Sequence, residues 1–338
     1  MGSEAKELIK SEILFNDKYY SHSQILGIAI KLQSEGKTQE ASELYKKLID
    51  IDFLDSRVFF NLGLIQSQQG KFDQAIELYQ KSIVLKPLNP NAFNNIGLIY
   101  LGKKNYQKAR INFKRAIEID NKYSIGYSNL GQLCIREDNM ILAEKYTRKS
   151  LEINPNQLIA LNQLGIILQK SEKLSEAGEC FRNAIKLNSK FLDGHINLGI
   201  ALMNLGELKQ AEMSFKNALK IDPNSYIAIY NYGLNLKKEN RFKEAEKHFR
   251  KSIALNPRLA LGHYSLGNVL MKSNKFDEAY KCFHKALSYK NDLYEAIAEL
   301  GKVLLKKNNH LEGLKKIREG YGSIVFDFQN DKVSVLKQ

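Results

Sequence analysis

Apolar residues return along this chain at three- and four-residue intervals, the spacing that lays a single stripe along a helix. Rows of 34 residues align Gly63, Gly97, Gly131, Gly165, Gly199, Gly233, Gly267 and Gly301 without an insertion. Twelve residues after each glycine stands a second small residue: Ala75, Ala109, Ala143, Ala177, Ala211, Ala245, Ala279, then Gly313. Four residues further on the column is mostly bulky: Tyr79, Phe113, Thr147, Phe181, Phe215, Phe249, Phe283 and Ile317. Each row therefore predicts two amphipathic helices, A and B, that cross where both carry small residues, because small side chains let backbones approach. The bulky column is expected to fill the space between one repeat and the next. The A–B turn holds Gly36, Gly70, Asp138, Gly206, Asn240, Asn274 and Asn308, which take positive φ readily. Lys104 and Glu172 stand at the same position and are exceptions to that preference.

An earlier, divergent register is visible in Ala29, Ala41 and Tyr45, one period before Gly63, Ala75 and Tyr79. Nine repeats are thus expected, starting near residues 22, 56, 90, 124, 158, 192, 226, 260 and 294. Leucine or isoleucine precedes most of the glycines, as in Leu62, Ile96, Leu130 and Leu164, and Pro87, Pro155, Pro223 and Pro257 mark the row ends. These columns resemble the tetratricopeptide repeat family, whose pattern is L-G-x2-Y, then A-x3-F, then P, at the same period. The family's early tryptophan is absent; Phe59, Phe93, Tyr127, Leu161, His195, Ile229, His263 and Ile297 stand in its column. The resemblance covers roughly residues 22–320. It implies an all-α, right-handed superhelical solenoid, in which one repeat cannot bury its own apolar face and stability comes from stacked neighbours.

The ends read differently. Residues 1–21 form an N-terminal capping segment, with a capping helix expected over residues 4–20 from Leu8, Ile9, Ile13 and Leu14. Over residues 321–338 the period changes, and Ser323 to Phe328 followed by Val333 to Leu336 reads as a short C-terminal β-hairpin. Its role is either to close the last repeat or to join a downstream domain.

Composition narrows the classes. With 43% hydrophobic and 26% charged residues the chain is a folded protein rather than a disordered one. No apolar run approaches the roughly 18 residues that span a bilayer. The stretch from Met1 to Lys10 has no signal-peptide core, and Lys6 stands where a Gly2 myristoylation signal needs Ser or Thr. Cys134, Cys180 and Cys282 are odd in number and far apart, which fits a reducing interior, so the cytoplasm is the expected address. Net charge is +14, and the surplus is uneven: residues 1–100 carry 11 basic and 12 acidic residues, residues 101–338 carry 40 and 25.

Catalytic chemistry finds no foothold. His195 and His263 lie two repeats apart, beyond the reach of one metal, and read as structural. No C-x-x-C, G-x-S-x-G or phosphate loop occurs, so neither an enzyme nor a cofactor is expected. Two columns carry the binding chemistry instead. Asn61, Asn95, Asn129, Gln163, Asn197 and Asn231, followed by Ser265 and Glu299, precede the Leu-Gly pair. A carboxamide donates and accepts at once, so such a ladder on the inner side could hold an extended peptide backbone; equally, it could brace helix A. The protein O-GlcNAc transferases of the family use a similar asparagine ladder. Five residues after the glycine, Arg136, Lys170, Asn204, Lys238, Lys272 and Lys306, with Lys237 beside them, line the later repeats with positive charge. They suit an acidic peptide, or are simply solvated lysines near a helix end. The family's chaperone clamp needs lysines in columns that here hold Phe60, Asn94, Ser128 and Asn162, or Asn91, Ile125 and Ile159, so that clamp is not expected.

The reading is a non-enzymatic scaffold for a protein or peptide partner, an extended and acidic segment lying in the concave groove. Its alternative is the substrate-docking arm of a modifying enzyme such as a glycosyltransferase. Nucleic acid is not expected, because the aromatics occupy packing columns rather than alternating with basic residues. The oligomeric state stays open. If the alanine column marks the helix crossing, Ala211→Leu overpacks it by about 1–3 kcal/mol and lowers the melting temperature; an unchanged melting curve removes the assignment.

Overall fold

The computed structural model describes residues 12–15, 17–321, 323–327 and 332–336. It contains 18 helices among those residues and two two-stranded sheets. The chain divides into two compact units, Met1–Gln163 and Leu164–Gln338. The first holds β1 (Glu12–Phe15), β2 (Lys18–Ser21), α1 (His22–Ser34), α2 (Thr38–Asp50), α3 (Ser56–Gln68) and α4 (Phe72–Leu85). It continues with α5 (Pro90–Gly102), α6 (Tyr106–Ile119), α7 (Ser124–Arg136) and α8 (Met140–Ile153). The division falls within α9 (Leu158–Lys170). The second unit follows with α10 (Leu174–Leu187), α11 (Leu192–Leu205), α12 (Leu208–Ile221), α13 (Tyr226–Lys238) and α14 (Phe242–Leu255). Then come α15 (Ala260–Lys272), α16 (Phe276–Tyr289), α17 (Tyr294–Lys306), α18 (His310–Tyr321), β3 (Ser323–Asp327) and β4 (Lys332–Leu336). Odd-numbered helices are helix A of a repeat and even-numbered helices are helix B; within each unit consecutive pairs stack as a solenoid.

The glycine column explains the A–B crossing. A Cβ built on Gly97 would lie 2.5 Å from Phe113, on Gly199 2.6 Å from Phe215, and on Gly233 2.7 Å from Phe249. Those three rings are fully buried, so they have no room to retreat. The sequence reading puts the bulky column between repeats; the structure lays each ring on the glycine of its own repeat. Phe215 also stacks on Tyr232 of the following repeat, with centroids 6.4 Å apart. In the last repeat a Cβ on Gly301 would meet the Gly313 carbonyl at 2.6 Å, so there backbone touches backbone. The fourth repeat departs: Thr147 replaces the ring, and its hydroxyl is buried without a hydrogen-bond partner.

Every A–B turn adopts positive φ, including the two exceptions. Lys104 sits at φ 58° and Glu172 at 61°, matching Asn240 at 59° and Asn274 at 58°. The turn is imposed by the hydrogen bonds that close helix A. Asn105 N–H donates to the Tyr100 carbonyl at 2.8 Å, and Lys173 N–H to the Leu168 carbonyl at 2.9 Å, the bond that ends a helix in a left-handed residue. The geometry of the repeat overrides the preference of the residue.

The N-terminal expectation is corrected. Leu8 and Ile9 lie outside the described residues, and the part of the expected capping helix that is described forms a hairpin. β1 pairs antiparallel with β2, Ile13 opposite Tyr20 and Phe15 opposite Lys18, across a turn in which Asp17 takes φ 58°. Ile13, Phe15 and Tyr20 pack on the first apolar cluster, around Ile25, Leu26 and Ala29. β2 runs straight into α1, where Ser21 and Gln24 form a reciprocal capping box. At the other end β3 pairs antiparallel with β4, Asp327 opposite Lys332.

A polar network in the second unit centres on the buried Glu212 and Tyr232. Tyr232 Oη donates to Glu212 at 2.6 Å, Arg241 Nη1 at 2.8 Å, and Lys216 Nζ lies 2.8 Å away. Arg241 also holds Glu239 and Glu244, each at 2.7 Å. Burial alone would raise the Glu212 carboxyl, but bonds from Lys216, Tyr232 and Arg241 overcome it and hold it at about 2. A depressed carboxylate contributes stability above its unfolded value of 4.5, which is lost as pH falls toward 2. Thermal melts from pH 7 down to pH 3 are expected to fall more steeply for the wild type than for Glu212→Gln; parallel curves would contradict this.

The turns give a second expectation. A non-glycine residue in the left-handed region costs about 1–2 kcal/mol. Lys104→Gly and Glu172→Gly are each expected to raise the melting temperature, by an amount worth about 1 kcal/mol; a lower melting temperature in both would show the turns to be unstrained.

Candidate functional site

The carboxamide column runs along the A helices, and its members are engaged with neighbours. Asn129 Nδ2 donates to Asn94 Oδ1 at 2.7 Å, and Ser128 Oγ donates to Gln163 Oε1 at 2.8 Å. Asn129 is only 8% exposed and Gln163 6%. Both bonds join residues 35 apart, that is, one column of a repeat to the next column of the following repeat. Ser265 repeats the arrangement with Tyr230, at 3.3 Å. Asn61 bonds to Tyr45 and Asn95 to Tyr79, which lowers each phenol against the dominant, raising effect of burial. Asn231 Nδ2 donates to the Ile227 carbonyl at 2.9 Å, Asn197 also has a partner, and Glu299 is paired with Lys302 at 2.6 Å. The buried members Asn129, Gln163 and Ser265 thus form hydrogen bonds from one repeat to the next.

Open space on the A-helix side lies beside these residues. In the first unit a cleft of about 390 Å³ is lined by Asn95 with Ser67, Gln68, Phe72, Tyr79, Leu98 and Gly102. A second of about 390 Å³ shares Leu98 and Gly102 with it and adds Lys104, Tyr106, Gln132 and Arg136. A third, of about 440 Å³, is lined by Ile125, Ser128, Asn129 and Ile159 at the starts of α7 and α9. Leu98, Ile125 and Ile159 are exposed aliphatics, 40%, 46% and 61% accessible. Sequence reasoning passed over Leu98 and Gly102. The signal for Ile125 and Ile159 was present, since both stand in a column that a packed helix would fill with polar residues. A further apolar cleft of about 650 Å³ lies between α2, α3 and α4, around Phe53, Leu54, Phe59, Val84 and Leu85.

The basic column is placed in solvent. Arg136 lines the second cleft, and Lys170, Lys272 and Lys306 are exposed, as is Asn204. Lys238 Nζ donates to the Met203 carbonyl at 3.2 Å. Lys237 is half-buried; burial lowers its pKa, opposed by Glu299 and assisted by Lys272.

The comparisons agree with this architecture. Tetratricopeptide repeat models match residues 90–123, 126–157, 158–191, 192–225, 226–259 and 260–293, and a TPR repeat model matches 67–104. The chain belongs to the tetratricopeptide repeat family. No curated protein matches the chain. Among solved structures it is similar to the APC/C hetero-tetramer Cut9–Hcn1, at 16% identity and a TM-score of 0.63 over 89% of this chain and 57% of that one. It is also similar to PilF of Pseudomonas aeruginosa, at 19% identity and 0.56 over 64% of this chain and 97% of that one. PilW, a type IV pilus biogenesis factor, gives 22% identity and 0.54 over 57% of this chain and 90% of that one. At these identities the likeness is one of fold.

Tetratricopeptide repeats mediate protein–protein interactions. His195 Nε2 donates to the Ser189 carbonyl at 3.0 Å and His263 Nε2 to the Pro257 carbonyl at 2.9 Å, so each ties helix A to the preceding turn. Cys134 is buried, and burial raises its thiol; burial pushes the Cys282 thiol up to about 11. Among the described residues no cluster of three or more His, Cys, Asp or Glu could hold a metal, and no helix is long and apolar enough to cross a membrane.

Because Asn129 braces α7 against α5, Asn129→Ala leaves the buried Asn94 amide without this partner. It is expected to destabilise the fold by about 1–3 kcal/mol in a denaturant titration. A loss below about 0.3 kcal/mol would show that the bond is not a brace.

Proposed function

We propose that this chain is a non-enzymatic interaction scaffold that binds an extended polypeptide along the A-helix side of its repeats. The observation that carries the reading is the pair of adjoining clefts at α5 and α7. They place exposed aliphatic surface beside unburied hydrogen-bonding groups, the composition of peptide-binding grooves. Main-chain groups of a strand-like ligand would meet Asn95 and Gln132, and its side chains would lie against Leu98. The carboxamide column enters chiefly as the frame: Asn129 and Gln163 fix the spacing of neighbouring A helices, and Asn95 alone of the first-unit members lines the opening beside Leu98. A docking arm for a modifying enzyme rests on an amide ladder free to grip a backbone, and the commitment of Asn129 and Gln163 to neighbouring side chains weighs against it.

The competing surface is the apolar cleft around Leu54 and Val84. Peptides selected from a displayed library against the wild type would be measured against Leu98→Arg and Val84→Arg, both at exposed positions. Loss of binding in Leu98→Arg with retention in Val84→Arg is expected. The reverse result would move the interaction to the other cleft and overturn the proposal.

A further inference from the structure

Within that reading, on which this inference rests, we infer that the cleft between α5 and α7 is a subsite for a carboxylate side chain next to an aliphatic one. Seven residues line it: two cations, Lys104 and Arg136; the Gln132 amide; and Leu98, Leu101, Gly102 and Tyr106. No carboxylate lines it. Neighbouring cations are neutralised within the fold, Lys103 by Asp73 at 2.5 Å and Arg110 by Glu137. Lys104 and Arg136 have no ion-pair partner among the described residues. Two unneutralised cations facing one concavity attract an anion from outside, and a wall of Leu98 and Leu101 lowers the local dielectric and strengthens that attraction.

The backbone supplies an independent observation. Lys104 occupies a left-handed turn where most other rows place Gly, Asn or Asp, and a lysine there is held against its own steric preference. Glu172 shows that the turn tolerates other residues, yet it brings the opposite charge to the equivalent position. Lys104 thus brings its charge to the rim of the cleft that Arg136 also lines.

Gly102 controls access. It lines both this cleft and the neighbouring one at Asn95, and a Cβ added there would meet nothing within 4 Å. Because the two clefts share Leu98 and Gly102, one extended ligand can lay an aliphatic side chain on Leu98 and a carboxylate between Lys104 and Arg136. An acidic peptide is favoured over single-stranded nucleic acid because the shelf is aliphatic. The cleft's one aromatic, Tyr106, packs against the apolar cluster of Phe113 and Leu130 rather than offering a stacking face.

The test uses the full chain and two fluorescein-labelled octapeptides, one alternating glutamate and leucine, the other glutamine and leucine, read by anisotropy. The acidic peptide is expected to bind about tenfold more tightly at roughly 0.05 M salt, and the gap to shrink at roughly 0.3 M. Arg136→Gln and Lys104→Gly are each expected to weaken only the acidic peptide, by about fivefold. Lys104→Gly should do so with a melting temperature at or above the wild type, which separates ligand recognition from folding. Gly102→Trp is expected to abolish binding of both peptides with the melt preserved. Equal binding of the two peptides, blocked by Gly102→Trp, would overturn the carboxylate subsite and leave the groove standing. Binding of neither peptide at millimolar concentration would overturn both. A labelled oligouridylate bound more tightly than the acidic peptide, and lost in Arg136→Gln, would assign the cations to nucleic acid instead.

Discussion

The contact between the helix A glycine and the helix B ring sixteen residues later sets the geometry of each repeat that carries it. Phe113, Phe215 and Phe249 lie so close to Gly97, Gly199 and Gly233 that even a methyl group would collide with a fully buried ring. A close-packed crossing has no slack, because interiors are packed like crystals rather than liquids. Once the crossing distance and angle are fixed in one repeat, the turn that joins its helices and the offset to the next repeat are fixed with them. The polar features are consequences of that frame. Asn129 reaches Asn94 and Ser128 reaches Gln163 at the same sequence separation because successive A helices are held in equivalent positions.

The same frame explains why residues adopt conformations they would not choose alone. Lys104 and Glu172 sit in left-handed turns because the crossing and the helix-ending hydrogen bonds leave no other path for the chain. Local preference is worth about a kilocalorie per mole at such a position, and the cooperative packing of two helices outweighs it. A solenoid built this way has room for side chains chosen for the surface rather than for the turn, and Lys104 is one of them.

Much of the fold was legible because its signals are periodic. Eight glycines in register, followed by alanine and aromatic columns, define helix pairs whatever the local noise. The errors arose where periodicity stops. The capping helix expected over residues 4–20 rests on Leu8, Ile9, Ile13 and Leu14, yet Asn16-Asp17 between aliphatic and aromatic residues is a hairpin signal, and Ser21 with Gln24 marks where the helix begins. The bulky column was assigned between repeats because spacing alone does not say which neighbour a ring faces. The surface was less legible still. An asparagine column has one appearance in sequence whether its amides face a ligand or each other, and the structure shows Asn129 and Gln163 facing neighbours. Gly102 and Leu98 belong to none of the glycine, alanine or carboxamide columns, and their place is visible only in the two clefts they line.

The central claim is that glycine and ring are one fitted unit rather than two independently tolerated residues. A double-mutant cycle on Gly199→Ala and Phe215→Leu, followed by denaturant unfolding, measures that directly. If the methyl collides with the ring, each single change destabilises, and the smaller leucine accommodates the alanine, so the double mutant is more stable than the two losses summed by about 1 kcal/mol or more. Strict additivity of the two losses would contradict the account.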